Sequence, residues 1–337
     1  MNKLIGSNII LLSVLFFWVS GCHEADKKGP DNEAVLNRPQ FAPLTDSIKR
    51  FPDNAELYFR RAEKLSQNNL TDIATADYKK SWDLKPDILT GMHYASNLGI
   101  NSQLDEEIQL LLDCIKKFPS ENGFKRLLGE NYIDAGRTKE ALGIYDEAIK
   151  TDSLNFEAWY EKGRVLEQSR DTAGAILAFK KAYTLQPIPM YAMELAHVYA
   201  ESKNPLAVQI CDRVLQYDSA HELTDPFFIK GIYYSNTKQY KPAAIQFDSC
   251  IKRDWKFTEA YIEKGIAFFK QHEYDTALST FRMAATVSNT EPDSYFWIGR
   301  CLEAKNNKPM AAEYYQRAVE LDRNFVEAKE ALKRVGG

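Results

Sequence analysis

A small residue returns every 33 to 35 positions along most of this chain, and no other feature restricts its fold as tightly. The series runs Ala62, Ser96, Gly129, Gly163, Ala196, Gly231, Gly265 and Gly299. A second series keeps step with it: Ala74, Ile108, Ala141, Ala175, Ala207, Ala243, Ala277 and Ala311. A third, mostly aromatic, follows as Tyr78, Leu112, Tyr145, Phe179, Cys211, Phe247, Phe281 and Tyr315. Three markers in register over eight units point to an array of stacked helical hairpins. One such hairpin cannot bury its apolar face alone, so the fold must come from neighbour packing along the array and not from one central core.

The clearest unit is Phe156 to Pro187, with Trp159, Gly163, Leu166, Ala175, Phe179, Ala182 and Pro187 at its key positions. This spacing of aromatic, small, bulky, small, aromatic, small and proline resembles the tetratricopeptide repeat. Each type has a steric reason. Gly163 and Ala175 sit where two helices come closest, and Trp159, Leu166 and Phe179 fill the space beside them. Pro187 cannot continue the second helix and ends the unit. Ala62, Gly129, Gly231, Gly265 and Gly299 are expected to pack as Gly163 does. The resemblance implies an all-α, right-handed superhelical solenoid of about eight repeats with capping helices at both ends. It also implies that the first helices line a concave groove that takes an extended peptide or a partner helix.

The repeats are expected over 55–324, starting at residues 55, 89, 122, 156, 189, 222, 258 and 292. Asp46 to Pro52 matches Asp113 to Pro119, the end of the second repeat, so 43–54 is expected to be a capping half-repeat, and 325–337 a C-terminal capping helix. Pro205, Pro226, Pro242 and Pro309 each fall at an expected first helical turn, where a missing N–H costs little. The fifth repeat reads as having a shortened turn at Lys203 and Asn204, with extra residues near His221 to Leu223, so a bend is expected over 217–224.

Residues 1–21 carry one lysine and then an apolar run from Leu4 to Val19, the length of a secretory h-region and short for a membrane span. Val19-Ser20-Gly21-Cys22 resembles the bacterial lipobox. That resemblance implies cleavage before Cys22 and its acylation, with two kinds of lipid attachment giving a stable anchor. Residues 22–42, polar and without helical periodicity, are expected to be the lipidated cysteine and a flexible tether. The residue after Cys22 is His23 and not the aspartate that would resemble an inner-membrane retention signal, so an outer-membrane lipoprotein is expected, facing the periplasm in preference to the cell surface.

A net charge of −4 over 337 residues shows no basic stripe and gives no support to nucleic-acid binding. No G-x-S-x-G elbow, Walker loop, H-E-x-x-H or CxxC pair is present, so neither an enzyme nor a metal or cofactor site is expected. Cys114, Cys211, Cys250 and Cys301 read as small core residues. The groove is expected to hold Tyr160 and Arg164 in its middle. Phe228, Ile229, Ile232, Ile262, Ile266, Phe296, Trp297 and Arg300 form an apolar later part. That later part reads either as an exposed binding patch, anchored by the aromatics, or as packing against the next turn or the C-terminal helix. The expected role is a membrane-anchored scaffold that binds another envelope protein or peptide; the alternatives are an adaptor for a peptidoglycan-active enzyme, and a hydrolase using groove carboxylates. A groove richer in Glu than in basic residues favours a partner segment carrying lysine or arginine.

Overall fold

The computed structural model describes residues 32–219 and 222–336, so Cys22, the apolar leader and His221 lie outside the described residues. The described residues form nineteen helices and no strand. They fall into two compact units that divide between Thr90 and Gly91, within α5 (Ile88–Ile100).

The first unit contains α1 (Asn32–Leu36), α2 (Ala42–Arg50), α3 (Ala55–Gln67) and α4 (Thr71–Leu84). Here the expected tether is shorter than 22–42, because Val35 and Phe41 are completely buried and α1 is helical. A buried polar network explains the order. Arg61 donates to both carboxylate oxygens of Asp77, at 2.6 and 2.7 Å, and to Thr45 Oγ1 at 3.1 Å. Thr45 in turn donates to the Leu36 carbonyl at 2.8 Å, which ties α1 and α2 to the first hairpin. The capping helix expected at 43–54 is α2, with Ile48 buried.

The second unit continues as α6 (Leu104–Lys117), α7 (Asn122–Asp134), α8 (Thr138–Thr151), α9 (Phe156–Gln168), α10 (Thr172–Leu185), α11 (Pro189–Glu201) and α12 (Leu206–Gln216). It ends with α13 (Asp225–Asn236), α14 (Tyr240–Arg253), α15 (Thr258–Lys270), α16 (Tyr274–Val287), α17 (Pro292–Ala304), α18 (Lys308–Leu321) and α19 (Val326–Gly336). The third repeat shows the plan: a 13-residue first helix, a turn, and a 14-residue second helix. In every repeat the turn holds one residue with φ between 56° and 70°, from Asn69 to Asn306, and only Gly136 among them is glycine. The next N–H then reaches back to the first helix, as Asp171 does to Leu166 at 2.8 Å and Asn307 to Leu302 at 2.9 Å. This closes the helix end with a six-residue loop of the Schellman type.

The small positions hold the hairpins shut. A Cβ on Gly163 would lie 2.6 Å from Phe179 Cδ1, and one on Gly265 would lie 2.5 Å from Phe281 Cε1. Ala175, Phe179 and Phe281 are fully buried. Lysines just before three of the small positions bridge consecutive repeats. Lys230 reaches Asp212 and Lys264 reaches Asp248, both at 2.7 Å, and Lys162 pairs with Asp146 in the same way.

Two expectations about register need correction. In the second repeat the buried small residue is Ala95, not Ser96, and Leu111 is fully buried while Leu112 is exposed. The small position of the second helix is then occupied by Glu107, one place before Ile108. Counting from the helix cap settles it: Asn54, Glu121 and Asn155 each stand eight residues before Ala62, Gly129 and Gly163, and Asp87, which accepts the Thr90 N–H, stands eight before Ala95. In the fifth repeat the turn is of normal length, with Lys203 left-handed and Asn204 N–H bonded to the Tyr199 carbonyl. What is missing is a residue in the first turn of α12, where Pro205 is the N-cap and the helix has only 11 residues. All four prolines lie at or within a first helical turn.

Candidate binding groove

Within residues 91–337 the first helices of successive repeats pack on one another, as α11 does on α13, α13 on α15 and α15 on α17. Among the described residues no two successive second helices pack as closely. The first helices are therefore on the inner side of this unit's curve. Their side chains meet across repeats: Tyr160 donates to Glu194 Oε1 at 3.2 Å, and His197 Nδ1 lies 3.2 Å from Glu167 Oε1. Arg164 pairs with Glu161 at 3.0 Å and Arg126 with Glu130 at 2.6 Å.

The inner row is acidic. Its carboxylates are Glu130, Glu161, Glu167, Glu194, Glu201, Glu263, Asp293 and Glu303, and its guanidinium groups are those of Arg126, Arg164, Arg300 and Arg334. The chemistry of burial shows in their titration. Burial raises Glu161 and, with the neighbouring charges of Glu201 and Asp293, pushes Glu263 up to about 7. The hydrogen bond that the His197 ring makes to Glu167, ahead of nearby carboxylate charge, raises His197 against the opposing effect of its burial. That Glu263 feels Glu201, two repeats back, follows from the curvature.

The later apolar residues are placed differently from an open binding patch. Ile229, Ile262 and Phe296 are 4%, 8% and 7% exposed and belong to the repeat cores. Phe296 packs against Phe325 at the start of the C-terminal segment, with ring centroids 5.0 Å apart, and against Tyr315 at 5.8 Å. Trp297 stacks on Phe281 at 5.7 Å, and Phe228 packs on Phe247 and Phe257. Ile232 and Ile266 are half-buried against the same cores. The physical reason is that positions −3 and −2 from the small residue face the neighbouring helix as much as the groove. Of the ten expected groove residues, Tyr160, Arg164 and Arg300 keep polar groups toward the inner row. Sequence reasoning missed Glu201 and Asp293, which sit near helix ends, outside the positions flanking the small residue.

The thiols of Cys114, Cys211, Cys250 and Cys301 are fully buried and unbridged, and burial pushes each up to about 12. Among the described residues no group of three His, Cys, Asp or Glu side chains could hold a metal ion, and no helix is long and apolar enough to cross a membrane.

A tetratricopeptide repeat family profile matches residues 126–187 and 262–324. The segments so matched are tetratricopeptide repeats. The crystal structure of PilW, described as a widely conserved type IV pilus biogenesis factor, superposes with a TM-score of 0.54 at 16% identity, over 64% of this chain and 98% of that one. A tetratricopeptide repeat protein from Parabacteroides merdae gives 0.52 at 15% identity, over 84% of this chain and 99% of that one. By sequence the chain is similar to the peroxisomal targeting signal receptor of Saccharomyces cerevisiae, 21% identical over 85% of this chain and 50% of that protein. It is also 20% identical to a TPR repeat-containing protein of Methanocaldococcus jannaschii, over 61% of this chain and 39% of that protein. The chain thus spans half or less of the length of these curated relatives. At such identities the likeness establishes the tetratricopeptide fold alone.

Proposed function

We propose that the chain is a tethered scaffold whose inner row of first helices grips an extended segment of another polypeptide. The observation that supports this reading is the inner face of residues 91–337, where twice as many carboxylates as guanidinium groups stand on α7, α9, α11, α15, α17 and α19. Such a face suits a segment with lysine or arginine, through faster encounter and through register, since like charges would be repelled. The lipobox-like Val19 to Cys22 supplies the rest of the proposal: acylation of Cys22 holds the scaffold on the outer membrane of a bacterial envelope, with the periplasm as the working compartment. There it places or delivers a component of an envelope assembly. PilW, which shares the fold, is described in terms of pilus biogenesis, and this supports an envelope role as an analogy only.

Two experiments test the two halves. A photo-crosslinking residue at Arg164, on the inner face, is expected to capture a discrete partner in cells, and the same residue at the exposed Leu177 of α10 is expected not to. Equal capture from both positions, or none from Arg164, would refute the groove. Separately, Cys22→Ser is expected to move the protein from the membrane fraction to the soluble one; retention in the membrane would refute lipid anchoring.

A further inference from the structure

The large apolar side chains that stand exposed among the described residues of the first unit all lie on one edge of it. Phe51, in the connection from α2 to α3, is 61% exposed, and Ile88 and Leu89, at the start of α5, are 42% and 57% exposed. Arg50, Phe51 and Pro52 line one cavity of about 760 Å³ together with Leu84 and Lys85, so the connections that follow α2 and α4 lie side by side. The opposite edge is polar. There the turn between α3 and α4 holds Asn68 and Asn69, and Gln40 Nε2 donates to Asn68 Oδ1 at 3.3 Å. Charge on the apolar edge favours a partner of neither sign: Lys49 pairs with Asp46 and Arg60 with Glu56, while Arg50 and Lys85 stand against Asp53, Asp83 and Asp87. What this edge offers is apolar surface.

We infer that this edge rests on the lipid surface to which the chain is anchored, with Phe51, Ile88 and Leu89 at the boundary of headgroups and acyl chains. The inference rests on the acylation of Cys22 proposed above and adds an orientation to it. Chain length supports it. Thr45 donates to the Leu36 carbonyl, so the end of α1 is level with Thr45, six residues or about 9 Å of helical rise before Phe51. The rest of α1 adds about 6 Å, which with the spacing between packed helices puts Asn32 within about 20 Å of Phe51 whichever way α1 points. Ten residues lead from Cys22 to Asn32 and span at most about 35 Å, so the lipid can lie in the plane of the edge. Reach allows either edge; the exposed apolar side chains select this one. A link this short holds the edge at an effective concentration on the order of millimolar, so a contact too weak to bind free protein is populated in the anchored one. Phe and Leu enter such a boundary while the stems of Arg50 and Lys85 lie along it with their charges in the headgroups.

The full protein, purified from membranes, would be reconstituted in phosphatidylcholine vesicles that carry a spin label high on the acyl chain. A fluorophore would be attached at Asp53→Cys, on the apolar edge, or at Gln67→Cys, beside the polar turn; Cys114, Cys211, Cys250 and Cys301 are buried and escape labelling. The Asp53 position is expected to be quenched by the spin label and the Gln67 position not. Phe51→Ser combined with Leu89→Ser should remove the quenching at Asp53 while the protein still floats with the vesicles. Both side chains are exposed, and circular dichroism checks that the double variant is folded; Leu89→Ser alone, with a partial loss of quenching, serves if it is not. An Asp53 probe quenched no more than the Gln67 probe, or unaffected by the substitutions, would overturn the docked edge while the lipid anchor stands. Wild-type protein that fails to float with the vesicles removes the anchor, and this inference falls with it.

Discussion

Neutralising Glu263 should stabilise the protein, and only above a definite pH. The side chain is half-buried on α15, and its carboxyl is raised from 4.5 to about 7 by burial first and then by the charges of Glu201 and Asp293. Because the folded-state value lies above the unfolded one, the folded protein bears no penalty from this group below pH 4.5. The penalty accumulates as pH rises toward 7 and is complete above it. At about 1.4 kcal/mol per pH unit, the shift amounts to about 3 kcal/mol at pH 8, as an upper figure for a side chain that keeps some water. Glu263→Gln removes the charge and keeps the shape. For a unit of this size about 3 kcal/mol corresponds to roughly 6–12 °C in thermal midpoint. The assay is thermal unfolding by circular dichroism of wild type and variant from pH 4 to 8.5. Only the difference between the two is used, since repeat arrays need not unfold in one step. The gap should be absent at pH 4 and open between pH 4.5 and 7. Parallel curves, or a less stable variant at pH 8, would show that burial, with the charges of Glu201 and Asp293, does not raise the Glu263 carboxyl in the folded protein.

Further outcomes follow from the packing and from the titration of the inner row. Gly265→Ala places a methyl 2.5 Å from the Phe281 ring and should cost about 1–3 kcal/mol in thermal unfolding, whereas Gly143→Ala, on the open face of α8 with nothing within 4 Å, should stabilise by about 0.5–1 kcal/mol. Asp77→Ala strands the Arg61 guanidinium, 7% exposed as a residue, and should cost about 3–5 kcal/mol, seen as lost hydrogen-exchange protection in α3 and α4. Phe296→Ala should cost about 3–5 kcal/mol; unchanged stability would return it to the surface and reopen the apolar patch. Affinity for a lysine-rich probe peptide should rise from pH 6 to 8 as Glu263 ionises, and Glu263→Gln should flatten that rise.

The periodic small residues pointed to the all-helical hairpin fold and, with the repeat length, to the start of nearly every repeat's first helix, because a residue that must let two backbones approach has few substitutes. They determined less where two small residues adjoin. Ala95 and Ser96 both fit the spacing, and only the distance from the cap at Asp87 decides which one is buried. The offset of Tyr160 and Arg164 from Gly163, a matter of helical period, puts them on one face of α9, and the family resemblance is what made that face a groove. Only tertiary structure decided the rest. Whether Phe296 and Trp297 are surface or core depends on Phe281 in α16, Tyr315 in α18 and Phe325 just before α19. Whether Glu303 is free depends on Arg334, which takes it from 31 residues further along the chain. Periodicity records which face of a helix is apolar; it does not record what the next helix brings to that face.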